Sequence, residues 1–399
     1  MPGASRSFRK ILYTGITLVN FYFGYNKNFF RCIPPFVQNF KLSKWRFGNS
    51  YHLILSLQNI KEGRFMRYVK LSSENFSEFF ESLKEIGKIY GPVKHNSTYT
   101  FEHVDNVKDL ALKYRRTILP PKKFFVKPRD QLFRLKQNTW EEVKDVEKFV
   151  LFGVHSCDIH GLKILDRVYL QDPIDPYYKA RRDNAFIVGI SCMPDEYCFC
   201  KSLGTDFAMD GFDLFLHELP DGWLVRVGSI KGHEIVWENQ ELFDEVTDED
   251  LKNFKEFEEK RAKAFKREIN REGLADILDL AFNSPVWKKY SEKCLGCGNC
   301  TLVCPTCRCY EVCDNWTRAY EAVRERRYDS CFMPTHGLVA GGHNFRPTRL
   351  DRFRHRYYCK SYFDPSAGFN CVGCGRCDEF CPARIEHVKV LEEIREGLI

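Results

Sequence analysis

From Met66 onward the spacing of apolar and polar positions changes period several times. Ser73 to Tyr90 carries Phe76, Phe79, Phe80, Leu83, Ile86 and Ile89. Intervals of three and four residues gather apolar side chains on one face of a helix, and Ser73 is placed as its N-cap. Met66-Arg-Tyr-Val-Lys-Leu, just before it, reads as a strand. Two unbroken apolar runs of strand length follow, Phe149 to His155 and Ala185 to Cys192, with a helical stretch around Asp158 to Leu170 between them. Strand, helix and strand at that length predict a parallel βαβ unit. Asp213 to Val227 reads as a hairpin turning at Pro220-Asp221-Gly222. Thr117 to Phe125 is a proline-broken loop. Asp248 to Asn270 is strongly charged and helical, a bridge between domains. Trp316 to Arg327 and Ile385 to Glu396 also read as helices.

Residues 1–65 differ from the rest. They are rich in Phe and Tyr, show neither period, and hold ten Lys and Arg against one acid, Glu62. Ile11 to Tyr25 is uncharged but shorter than the ~20 residues a membrane-spanning helix needs. No small-residue cleavage site follows it, as a signal peptide would require. The expectation is that Met66 is the true start and that 1–65 is an extension foreign to the fold. Setting it aside changes the charge picture. The whole chain is formally +7, but the remainder carries 51 basic and 53 acidic residues. A near-neutral body lacks the footprint of a nucleic-acid partner. Plentiful Lys, Arg and Glu with scarce Gln is the balance of hyperthermophile proteins.

The chemistry lies in the cysteines, of which there are 18. Cys294-Leu-Gly-Cys297-Gly-Asn-Cys300-Thr-Leu-Val-Cys304-Pro305 and Cys371-Val-Gly-Cys374-Gly-Arg-Cys377-Asp-Glu-Phe-Cys381-Pro382 are both C-x₂-C-x₂-C-x₃-C-P. This is the bacterial ferredoxin spacing for [4Fe–4S] ligation. A cube needs one thiolate on each of four irons, and three cysteines at two-residue gaps can wrap three corners from one tight loop. Gly296, Gly298, Gly373 and Gly375 let those loops bend close to the sulfurs. In two-cluster ferredoxins the fourth cysteine ligates the other cube. Cys294, Cys297, Cys300 and Cys381 are therefore grouped as one ligand set, and Cys371, Cys374, Cys377 and Cys304 as the other. Zinc sites also use C-x₂-C, but as two pairs rather than two quartets each closed by Cys-Pro. Thiols serving metal imply a reducing compartment, most simply the cytoplasm, and no export signal argues for disulfides. The 66 residues between Cys304 and Cys371 exceed the connection in compact ferredoxins. The expected fold class is an α+β or α/β region over 66–284 containing the βαβ unit, followed by a helical, ferredoxin-like dicluster domain over 285–399.

Cys157, Cys192, Cys198 and Cys200 form a second group. Cys157 follows the first strand of the βαβ unit and Cys192 ends the second, and parallel sheets gather ligands at the carboxyl ends of their strands. A third [4Fe–4S] cluster and ordinary half-buried cysteines both remain open readings. Cys307, Cys309, Cys313, Cys331 and Cys359 are packing residues, substitute ligands or thiols that meet a sulfur substrate. His336 and His343 are either donors to cluster sulfurs or satisfied loop histidines. No G-x-G-x-x-G after a strand and no P-loop is present. Electrons then enter and leave through partner subunits, or a small substrate is reduced at a cluster.

Several of these segments resemble the beta subunits of archaeal cytoplasmic sulfhydrogenases, most of all the sulfhydrogenase II type of Thermococcales. They are Cys294 to Cys313, Arg327-Tyr-Asp-Ser-Cys331, His336-Gly-Leu-Val-Ala-Gly-Gly-His343 and Cys371 to Pro382, with Phe152 to Asp166 and Gly189 to Cys200 upstream. The likeness runs from Met66 to Ile399, and the related anaerobic sulfite reductases contain a polypeptide of the same general layout. The resemblance implies a cytoplasmic heterotetramer in which alpha and delta subunits form a nickel–iron hydrogenase. It implies a flavin-containing gamma subunit that uses NAD(P)H, and sulfur or polysulfide reduction by beta and gamma together. The leading expectation is an electron relay between the flavin and hydrogenase modules, with no nucleic acid and no membrane span. The alternatives are a directly catalytic sulfur-reducing subunit, through a thiol such as Cys307 or Cys331, and a non-enzymatic iron–sulfur sensor or scaffold.

Overall fold

The computed structural model describes residues 67–144, 147–318, 321–364 and 368–397, with four strand fragments between 45 and 65. It divides into two compact units, Met1–Met66 and Arg67–Ile399. In the first, Trp45–Phe47 pairs with Ser50–His52 and Ile60–Lys61 with Arg64–Phe65, both antiparallel. The uncharged run Ile11 to Tyr25 and the expected start at Met66 lie outside the described residues.

The second unit is built on a mixed eight-stranded sheet. In chain order its strands are β1 (Arg67–Ser72), β2 (Lys88–His95), β3 (Thr98–His103), β6 (Phe149–Val154), β7 (Ala185–Ile190), β8 (Leu214–Leu219), β9 (Gly222–Val227) and β10 (Phe243–Asp244). Across the sheet they run β10-β1-β9-β8-β7-β6-β2-β3. β6 is parallel to β2 and β7, and β7 to β8; the other pairs are antiparallel. Every residue of β6 and β7 is buried, as expected of central parallel strands covered on both faces. The helix α1 (Phe76–Ser82) drives Phe79 and Phe80 into a core with Val150, Phe152, Val188, Leu216 and Val225, all fully or almost fully buried.

The expected βαβ unit is present, with α2 (Ser156–Tyr169) and then α3 (Pro176–Asn184) between β6 and β7. The Asp213 to Val227 hairpin is also present as β8 and β9. The helix expected over Ser73 to Tyr90 is shorter. Its N-terminal boundary is Asn75, which makes no side-chain cap; it ends in a 3₁₀ turn at Leu83–Glu85, and the chain then enters β2. Ile89, which fits the helical phase, is a core residue of that strand. The charged helix α4 (Asp248–Lys263) opens on a complete capping box at Thr247 and Asp250 and stops seven residues before Asn270. Within the proline-broken loop, Lys122–Phe125 makes one helical turn.

The cysteine-rich C-terminal stretch contains α5 (Pro285–Lys293), α6 (Asn299–Leu302), β11 (Tyr310–Arg318), β12 (Glu321–Tyr328), α7 (Arg349–Ser361), α8 (Arg376–Glu379) and α9 (His387–Glu396). The helix expected over Trp316 to Arg327 is not formed: Trp316 to Arg318 and Glu321 to Arg327 lie in the paired strands β11 and β12. The helical character expected of this domain is corrected with it, since strands accompany its helices. β12 also pairs with β4 (Arg129–Lys136), which pairs with β5 (Thr139–Glu142), giving an antiparallel sheet shared between the two halves of the unit. Buried charge holds this junction. Glu325 is fully buried and accepts from Arg129 Nε at 2.6 Å. Asp130 accepts from Arg181 at 2.6 and 2.8 Å and from Arg326 at 3.1 Å. Charges buried here are tolerated because each is paired and hydrogen-bonded.

Candidate metal centres

The helices α6 and α8 begin alike. Each is entered through a left-handed glycine, Gly298 at φ 78° and Gly375 at φ 74°, with a second two residues earlier, Gly296 at 68° and Gly373 at 62°. Other L-residues avoid that region, so glycine is what allows both loops to make the same double turn. The turns aim backbone N–H groups at sulfur. Gly296 N donates to Cys294 Sγ, Gly373 N to Cys371 Sγ and Ile385 N to Cys381 Sγ, each at 3.4 Å. α6 and α8 pack against each other, so the two runs form a pair.

Within the pair, Cys381 neighbours Cys294 of the other run, and Cys304 neighbours Cys371 and Cys374. Cys294 feels the thiols of Cys381 and Cys297, and Cys300 feels Cys294. Cys371 feels Cys304 and Cys374, Cys374 feels Cys304, and Cys377 feels Cys371 and Cys374. Burial pushes the Cys300 and Cys371 thiols up to about 12. Cys297 alone of the eight is exposed.

Buried cations test whether these residues suit an iron–sulfur group. Lys122, Arg356 and Lys360 are 3%, 4% and 1% exposed. Lys122 donates to the Cys307 carbonyl at 3.2 Å, Lys360 to Thr306 Oγ1 at 2.8 Å and Arg356 Nη2 to the Cys300 carbonyl at 3.1 Å. Nε and Nη1 of Arg356 have no partner. The groups whose ionised form would answer all three cations are cysteines, with Cys304 and Cys307 common to each. For Lys360, burial pulls the ammonium down, but Cys304, Cys307 and Cys359 together outweigh it and hold it above the ordinary lysine value. For Lys122, burial wins over Cys307 and Cys304 and the pKa falls. An uncompensated buried charge costs several kcal/mol. Thiolates around a cube carry the negative charge that answers these cations, so the residues fit such a group. Among the described residues no three His, Cys, Asp or Glu side chains close tightly enough to hold a single metal ion; a cube takes each thiolate on a different iron.

The upstream cysteines converge as well. β6 delivers Cys157 as the second residue of α2, β7 delivers Cys192 two residues past its end, and Cys198 and Cys200 follow in the loop. All four line one cavity. The loop lies on the second ferredoxin-type run, with Phe199 N donating to Gly373 O at 2.9 Å and Thr205 Oγ1 to Val372 O at 2.7 Å. A Cβ on Gly373 would come within 2.6 Å of Cys200 N, and one on Gly375 within 2.6 Å of Tyr197 O.

The remaining cysteines separate. Cys307 neighbours Cys304 and Cys309, and Cys309 neighbours Cys331; Cys307 and Cys331 are buried. Cys313 lies in β11 beside Glu325, and Cys359 lies on α7. His336 Nδ1 pairs with Asp329, and His343 stands exposed against Phe345. The buried cations are what sequence reasoning missed. The available signal was phase: Arg356 and Lys360 fall in the same stripe of α7 as the buried Phe353 and Tyr357, where a solvated cation would not sit.

Residues 293–385 match the family model of a 4Fe-4S dicluster domain. Over 334 residues, 84% of this chain and 100% of the relative, the sequence is 80% identical to Sulfhydrogenase 2 subunit beta of Pyrococcus furiosus. No solved structure matches the chain. Among the described residues no helix is long and apolar enough to cross a membrane.

Proposed function

The chain belongs to the family of sulfhydrogenase beta subunits and is an iron–sulfur electron-transfer subunit, and from that footing we propose a specific relay. It connects a flavin-containing, NAD(P)H-using gamma subunit to a nickel–iron hydrogenase module of alpha and delta subunits, in the cytoplasm. With gamma it makes up the sulfur- and polysulfide-reducing component. Two [4Fe–4S] clusters are held by Cys294, Cys297, Cys300 and Cys381 and by Cys371, Cys374, Cys377 and Cys304, in a domain spanning 285–399 that follows the α/β part over 66–284. When bound, such clusters supply one-electron storage and transfer.

The observation that carries this reading is the matched pair of glycine-entered loops, with Cys381 beside Cys294 and Cys304 beside Cys371 and Cys374. The chain's own contribution is positional. Left-handed glycines and N–H···S bonds fix the sulfurs, and the buried guanidinium of Arg356 with the buried ammonium groups of Lys122 and Lys360 balances their charge. Cys307 and Cys331 are buried, which gives direct thiol attack on polysulfide no support.

Cys297→Ser and Cys374→Ser in the assembled complex test the relay. Hydrogen-dependent NADP reduction should fall at least tenfold in each, while dye reduction by the hydrogenase module survives. Unchanged NADP reduction in both variants would remove the relay role.

A further inference from the structure

Four thiols outside the ferredoxin-type runs meet at the carboxyl ends of β6 and β7. Cys157 feels Cys200 and Cys192, Cys192 feels Cys198, and Cys200 feels both Cys198 and Cys192. The cavity they line is partly open to solvent. Polar groups around it lack partners. His155, 2% exposed, lines the cavity and has no hydrogen bond at Nε2, and Arg116, 4% exposed, has none at Nε. Arg116 Nη2 donates to Cys198 Sγ at 3.3 Å.

We propose that this cavity holds a third [4Fe–4S] cluster ligated by Cys157, Cys192, Cys198 and Cys200. Four thiols lining one cavity, on short segments that leave adjacent parallel strands, supply the ligand count a cube needs, at the place where such sheets bind their ligands. The Arg116 bond to Cys198 and the unpaired His155 nitrogen supply donors of the kind that support cluster sulfur.

The neighbourhood gives the site a place in the molecule. Cys374 lines the same cavity. Arg376, next to the ligand Cys377, makes a fully buried bidentate pair with Asp158, next to Cys157, at 2.6 and 2.8 Å. A third centre here would adjoin the Cys371-Cys374-Cys377 loop and not the exposed Cys297 side. That adjacency rests on the two-cluster reading above. The site itself does not, since none of its four thiols belongs to the ferredoxin-type runs.

The test is iron and zinc analysis of the anaerobically purified full chain, with paramagnetic resonance after dithionite, on wild type, Cys192→Ser, Cys198→Ser and the control Cys313→Ser. Three four-iron cubes give about twelve irons per chain. The expected result is about twelve in wild type and the control, and about eight in the two variants with the signals of the remaining clusters retained. About eight irons in wild type, unchanged in the variants, would overturn the proposal. So would about one zinc per chain that disappears with Cys192→Ser, or twelve irons that survive both substitutions. Failure of the two-cluster reading would look different, with about four irons or none in wild type. If the cysteine variants do not fold, the wild-type iron and zinc counts still decide.

Discussion

Single residues in this protein are governed by what answers a buried charge. Around the two runs, Lys122, Arg356 and Lys360 face sulfur; deeper in, Arg376 faces Asp158. His217 shows the opposite solution, staying neutral. It is 1% exposed, with Phe254 and Phe215 rings at 4.5 and 4.8 Å. Burial, helped by Arg226 and Arg261 and opposed by Glu258, pulls its pKa down to about 4. The unfolded chain takes up this proton near pH 6.5, the folded chain only near pH 4. The contribution to stability is therefore complete above pH 6.5 and is lost as pH falls from there through 4. By proton linkage the loss is at most about 3 kcal/mol. Urea unfolding at pH 7.0 and 4.5 should show His217→Gln losing less stability on acidification than wild type. Equal losses would mean that His217 is not held neutral.

The two loop-and-helix elements that carry the ferredoxin-type runs share a backbone but differ in surroundings. Gly296 and Gly375 both have positive φ, yet a Cβ on Gly296 meets nothing within 4 Å, whereas one on Gly375 would strike the Tyr197 backbone at 2.6 Å. An alanine at Gly296 should cost only the left-handed strain, about 1–2 kcal/mol. At Gly375 the overlap adds overpacking, for a total of about 3 kcal/mol or more. Denaturant midpoints of the anaerobic full chain compare the two; equal shifts would contradict the close packing of the 195–200 loop on the second run. Element by element, legibility from sequence followed the physics. Buried apolar strands such as β6 and β7 have no competing reading once a helix separates them. The β11–β12 hairpin was unreadable because its stabilising contacts are ionic and distant in sequence: Glu325 with Arg129, and Arg326 with Asp130. Charged side chains at 316–327 look like a solvated helix until the partner strand β4 is known. The α1 boundary failed for another reason, since Ile89 satisfies the helical period and the strand core alike.

At the scale of the whole molecule, the α/β sheet and the cluster-bearing stretch form one compact body over Arg67–Ile399, joined by a shared four-stranded sheet and by the 195–200 loop. The cysteine spacings were legible because a cube dictates them locally. The convergence of Cys157, Cys192, Cys198 and Cys200 was legible only as a consequence of parallel strand order. The burial of Arg356 and Lys360 was legible from their phase on α7, but their sulfur neighbours were not, because nothing in a lysine's or arginine's identity names its partner. Every functional statement about the chain depends on the ferredoxin-type cysteines holding iron cubes. Paramagnetic resonance of the anaerobically isolated, dithionite-reduced chain, set beside its metal content, tests this most directly. The expected result is a brown protein with at least about eight irons and the signals of reduced, mutually interacting [4Fe–4S] centres. A colourless or zinc-loaded chain that stays silent after reduction would contradict it.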